Sequence, residues 1–145
     1  MSTTVCALPG DLPAGVRILD CAVSGGNLRE ALGLLLDRTG GRLCLRLSPV
    51  YMAFPLPCPG GVGRSLTPEA LRSGYQGEPC HFSEALCTEY YTRMGPGGPE
   101  AVLFDTEESL LAKYRAMEAA GVPWCLAEDP KLRALIQRAP PPGRE

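Results

Sequence analysis

An apolar segment that runs straight into a capped amphipathic helix constrains this chain more than any other feature. Val16–Val23 reads VRILDCAV, with apolar side chains on both faces of an extended chain. That pattern suits a strand covered on both sides, as in the interior of a parallel sheet. Ser24-Gly25-Gly26 then turns the chain. Asn27 is placed to cap a helix, and Glu30 three positions on completes a capping box. Leu28, Ala31, Leu32, Leu35 and Leu36 recur at helical spacing until Gly40-Gly41 stop the helix.

The remaining segments extend this alternation. Val5–Leu8 reads as a short edge strand. Arg42–Ser48 alternates Leu43, Leu45 and Leu47 against Arg42, Cys44, Arg46 and Ser48, so one of its faces is expected to be wet or to line a cleft. Pro49 interrupts, and Val50–Leu56 resumes as the same strand past a bulge or as a second one. Pro55–Gly63 is loop. Thr67 and Pro68 open a short helix that ends at Gly74. Phe82, Leu86, Tyr90 and Met94 repeat every fourth residue, which predicts a helix over Phe82–Met94, closed by Gly95-Pro96-Gly97-Gly98-Pro99. On such a helix Tyr90 and Tyr91 cannot both face inward. Ala101–Phe104 predicts a strand. Asp105 as cap with Glu108 opens a helix striped by Leu110, Leu111, Tyr114 and Met117 and stopped at Gly121. Pro123–Ala127 is a last strand, and Asp129-Pro130 opens a last helix.

The expected fold is therefore α/β with three layers: four or five mostly parallel strands with helices on both faces. A chain of 145 residues with 45% hydrophobic side chains suffices for one such domain over 1–139, with a Pro-rich disordered tail over 140–145. The formal net charge of −2 argues against a partner that is nucleic acid or an acidic membrane surface. No apolar run approaches the roughly 18 residues that cross a bilayer, and the first residues lack the basic start of a signal peptide. A cytoplasmic location is the expectation. The seven cysteines are odd in number. Cys6, Cys21, Cys44 and Cys125 fall within predicted strands, which suits buried free thiols.

The stretch Phe104–Asp129 resembles the end of the barrel in glycoside hydrolase family 18, the chitinase-like enzymes. The matching residues are Asp105, Ser109, Lys113, Gly121 and Trp124, with Asp129 beyond them. The spacing from that Gly to that Trp is shorter than in the family. The family's DxxDxDxE motif, which carries its general acid, is absent. The resemblance thus implies a barrel fragment or a degenerate relative that binds sugar without hydrolysing it, with Trp124 lining the sugar site.

Open α/β sheets bind ligands beyond the carboxyl ends of their strands. Asp20, Ser24, Asn27, Asp105, Trp124 and Glu128 (or its neighbour Asp129) fall at such positions and form the candidate ligand site. Each also has a plain structural role: Asn27, Asp105 and Asp129 as helix caps, Asp20 as a strand-end polar group, Trp124 as core or interface. Arg42 and Arg46 share a strand face with Ser48 and suit either a carboxylate ligand or a solvated face. Cys80, His81 and Cys87, joined by Cys58, offer soft metal ligands without the paired spacing of a zinc site. Cys80 and His81 with Glu84 also compose a nucleophile, a base and an orienter, but adjacent residues rarely aim at each other. Neither a metal nor a cofactor is assigned. The expected function is a non-catalytic binding or protein-interaction domain, taking a small molecule, a protein partner or a second copy of itself. The alternatives are a small hydrolase using Asp20, Asp105 or Glu128, and the degenerate chitinase-like sugar binder.

Overall fold

The computed structural model describes residues 5–7, 12–20, 27–57, 63–127 and 129–138. Along the chain the elements are β1 (Val5–Ala7), β2 (Arg17–Asp20), α1 (Leu28–Thr39), β3 (Leu43–Arg46), β4 (Tyr51–Pro55), β5 (Arg64–Ser65), α2 (Pro68–Gly74), β6 (His81–Ser83), β7 (Thr88–Gly95), β8 (Gly98–Phe104), α3 (Glu107–Ala120), β9 (Trp124–Leu126) and α4 (Pro130–Arg138). Among these residues the strands fall into two sheets. One is parallel, in the order β1-β9-β3-β2, and the other antiparallel, in the order β5-β4-β8-β7-β6.

The parallel sheet is where the strand–helix alternation holds. Asn27 caps α1 by accepting from the backbone N–H of Arg29 and Glu30. Gly40 ends it in the left-handed conformation at φ 61°, a backbone state that costs glycine nothing. On α3 the cap is Thr106, not Asp105. Thr106 and Ser109 form the reciprocal capping box, one residue later than the sequence pattern suggests. Asp129 accepts from the N–H of Lys131 at the start of α4. Leu28 and Leu32 of α1, Leu110 and Met117 of α3, and Leu132 and Ile136 of α4 close on Leu43, Leu45 and Leu47 in one apolar core. Cys44, on the opposite side of β3, is also fully buried, so of the expected wet face Arg46 is half-buried and Arg42 and Ser48, flanking the strand, are exposed.

The second sheet is the main departure. Phe82–Met94 is not a helix but β6, a turn and β7, and β7 continues through Pro96-Gly97 into β8 as a hairpin with Tyr91 opposite Val102. A four-residue apolar repeat is a multiple of two, so it satisfies strand alternation as well as a helix face. The run Thr88–Thr92 is rich in β-branched and aromatic residues, and the Gly-Pro-Gly-Gly turn favours the hairpin. Consequently most strand pairing is antiparallel: four of the seven strand pairings, against three parallel. The expectation of a single, mostly parallel three-layer sheet is corrected accordingly. β2 and β8 lie in different sheets, so they do not flank one crevice.

The chain changes sheets at Pro49. Leu47 N–H still reaches Leu126 O of β9, but Pro49 has no N–H to continue the ladder. Val50 instead bonds to Asp105 twice: its N–H donates to Asp105 Oδ2, and its carbonyl accepts from Asp105 N–H. β4 then pairs with β8. Both sheets are open in this structure, each ending in strands without a further neighbour among the described residues. That overturns the resemblance to the glycoside hydrolase family 18 barrel, which requires closure, and with it the degenerate sugar-binding reading. The expected tail over 140–145 lies outside the described residues. No described helix is long and apolar enough to cross a membrane.

Candidate functional site

Strand alternation sorts the antiparallel sheet into two faces. From the register, Ala53, Tyr91, Arg93, Glu100, Val102 and Phe104 share one face. Thr67 caps α2 by accepting from Ala70 N–H, and Pro68 occupies its first position. Leu66 and Leu71 pack on Ala53, Tyr91 and Val102, so α2 lies over this face. The segment after α2 is held by its own bonds. Tyr75 Oη donates to Glu78 O at 2.7 Å, and Gln76 N–H donates to the Glu78 carboxylate at 2.6 Å.

A cavity of about 320 Å³ remains between α2, this segment and the sheet, lined by Leu71, Arg72, Tyr75, Cys80, Tyr91 and Phe104. Its walls are mostly aromatic. Tyr75 meets Tyr91 edge-on with ring centres 5.1 Å apart, and Phe104 lies 6.0 Å from Tyr91 on the other side. Tyr91 is 1% exposed, and its hydroxyl has no hydrogen-bond partner among the described residues. A buried polar group in that state costs roughly 1–3 kcal/mol. Burial pushes the Tyr91 phenol upward; Arg93 opposes this, and Glu78, Cys80 and Glu100 add to it. The group is therefore a neutral O–H donor. Cys80 is an exposed free thiol whose Sγ sits 3.8 Å from Tyr75 Oη.

Next along the same face is a fixed charge cluster. Glu100 is 4% exposed. It accepts two bonds from Arg64, at 2.8 and 3.1 Å, and one from Arg93 Nε at 2.8 Å. The Arg64 hydrogen bond is the main cause holding its carboxyl below the ordinary value, with Arg93 adding to it against the opposing effect of burial. At neutral pH Glu100 is thus an anion and not a proton donor. Gly95 is required beside it, because a Cβ there would stand 2.5 Å from the Glu100 carboxylate carbon.

The positions singled out in the sequence are dispersed. Asp105 is buried, and both of its oxygens are occupied: Oδ1 by Ser109 Oγ at 2.7 Å, and Oδ2 by Lys113 Nζ at 2.6 Å and Val50 N–H at 2.9 Å. Three of the residues that carried the family resemblance, Asp105, Ser109 and Lys113, therefore form a local buried network, brought together by their four-residue spacing from the turn before α3 into the helix. Asp129 and Asp105 border one cavity of about 270 Å³ with Tyr51 and Leu132, with Asp129 capping α4. Burial, and next the Asp105 charge, raise the Tyr51 phenol. Asn27 is a cap. Trp124 is half-buried in β9, between β1 and β3. The Asp20 side chain, Ser24, Glu128 and Cys58 lie outside the described residues. Cys87 is a core thiol bonded to Glu84 O, and His81 rests against Tyr90 with ring centres 5.4 Å apart. Among the described residues no three His, Cys, Asp or Glu side chains are grouped to hold a metal ion.

Tyr75, Tyr91, Phe104, Arg64, Arg93 and Glu100 were not among the sequence candidates. The available signal was the odd-numbered series Glu89, Tyr91, Arg93, which shares one face only once the segment is read as a strand. No protein-family model matches the chain, and no significant match is found among curated proteins or solved structures.

Proposed function

We propose that this is a non-catalytic binding domain whose site is the aromatic cavity under α2, and that its ligand is a compact, mostly apolar small molecule bearing one hydrogen-bond acceptor. The observation that carries this reading is the Tyr91 hydroxyl, buried just behind the cavity wall without a partner among the described residues. A ligand carbonyl or ether oxygen supplies the missing bond once the Tyr91 hydroxyl shifts toward the cavity, and its apolar body fits between Leu71, Tyr75 and Phe104. Preformed walls and few polar contacts are what small-ligand sites share.

A non-catalytic role is supported by the commitments of the nearby ionisable groups. Asp105 is fully bonded, Asp129 caps a helix, and Glu100 is locked between two guanidinium groups. The free thiols of Cys80 and Cys87 favour a reducing compartment, in line with a cytoplasmic location.

The test is a titration of the isotope-labelled protein with acetophenone, followed by amide NMR shifts. The expected shifts centre on Leu71, Tyr75, Cys80, Tyr91 and Phe104, and Tyr91→Phe weakens binding about fivefold, the loss of one neutral hydrogen bond. Absence of shifts at these positions at millimolar ligand overturns the reading.

A further inference from the structure

Resting on that reading, we infer that the cavity's ligand class is an aromatic carboxylate, its ring among Tyr75, Tyr91 and Phe104, its acceptor toward Tyr91 and its carboxylate at the mouth on Arg72. Three observations carry this. First, the wall chemistry selects a ring, since three aromatic side chains line a space of about 320 Å³. At roughly 30 Å³ for each water-sized group, that space holds about eleven such groups, enough for a single substituted ring.

Second, Arg72 is the one charged side chain in the lining. The two other arginines on this face are already engaged, because Arg64 and Arg93 share the single carboxylate of Glu100. Among the described residues the ion-pair partner of Arg72 is Glu69, at 3.8 Å, with the two side chains 75% and 77% exposed. A pair so long and so wet holds its partners weakly. A ligand carboxylate replaces Glu69 with a partner fixed by the ring below it.

Third, Glu78, in the segment after α2, is turned elsewhere. Glu78 accepts from Gln76 N–H at 2.6 Å and borders the neighbouring cavity that also holds Arg93 and Glu100. Among the described residues no carboxylate lines the aromatic cavity to repel an anion or to attract an amine.

The experiment compares para-acetylbenzoate, para-acetylbenzamide and para-acetylbenzylamine by NMR titration of the wild type, Arg72→Gln and Arg72→Lys. Arg72 is exposed, so both variants are expected to keep the wild-type unfolding midpoint, which is measured alongside. The expected result is that the benzoate binds about fivefold tighter than the benzamide, and the benzylamine weakest. Arg72→Gln removes the benzoate's advantage and leaves the benzamide unchanged, while Arg72→Lys retains part of it. Equal binding of benzoate and benzamide, or a preference that survives Arg72→Gln, overturns the inference and leaves the proposed binding role intact. Failure of all three compounds to shift the cavity residues overturns both. Benzoate shifts centred on Arg64 and Arg93 also overturn the inference, by relocating the anion to the Glu100 cluster.

Discussion

Lys113 and Asp105 meet in an ion pair almost without solvent: Nζ and Oδ2 lie 2.6 Å apart, with the side chains 1% and 0% exposed. The pair stands at the point where the chain leaves the parallel sheet, because the same Asp105 oxygen holds Val50 N–H at the start of β4. Its role is to fasten β4 and β8 to the helical layer. Removing one partner leaves a buried charge uncompensated, which typically costs 3–5 kcal/mol. Lys113→Met is therefore expected to lower unfolding stability by about 3–5 kcal/mol in urea titrations. Adding Asp105→Asn is expected to recover at least half of the loss, since asparagine is neutral and still accepts from Val50.

Glu100 gives the molecule a defined acid sensitivity. Its carboxyl lies below its ordinary value of 4.5 in the folded protein, chiefly through Arg64. Between the two values the unfolded chain binds more protons than the folded one, so lowering the pH favours unfolding. The stabilisation is complete above the unfolded value and is lost as pH falls through the folded one. Glu100→Gln is expected to cost about 1–3 kcal/mol at neutral pH, the usual worth of hydrogen bonds to a charged group. The gap between the two proteins narrows below pH 4.5, which urea midpoints across the acid range will show.

Two helix glycines are expected to act in opposite directions. Gly33 lies inside α1, and a Cβ there meets nothing within 4 Å. Gly33→Ala is expected to stabilise by about 0.5–1 kcal/mol through backbone entropy. Gly121 ends α3 at φ 86°, where its N–H caps Glu118 and Met117 carbonyls. Gly121→Ala is expected to destabilise by about 1 kcal/mol, from the left-handed backbone that alanine tolerates poorly. Thermal midpoints of the two variants check both signs.

The parallel half was legible because its signals are local. Asn27, Gly40, Pro130 and Gly121 mark helix ends through backbone chemistry that needs no tertiary context. The antiparallel half was not. Phe82, Leu86, Tyr90 and Met94 fit two periods at once, and β5, a two-residue strand, has too little sequence to carry any period. The candidate site was hidden for the same reason. Tyr91 and Arg93 belong to one surface only after β7 is extended, and Glu100 joins them only through the pairing of β7 with β8. Asp105 was singled out as a ligand candidate or a helix cap; in the structure its carboxylate bonds Lys113, Ser109 and Val50.

The central claim is that the Tyr91 hydroxyl awaits a ligand, and Tyr91→Phe tests it most directly when stability and binding are measured on the same sample. An unpartnered buried hydroxyl destabilises the ligand-free fold, so its removal is expected to leave the urea unfolding stability unchanged or raise it by up to about 1 kcal/mol. Acetophenone binding is expected to weaken about fivefold at the same time. A Tyr91→Phe protein that loses 1 kcal/mol or more of stability and binds acetophenone as tightly as the wild type would contradict the account, because the hydroxyl would then already have its partner within the fold.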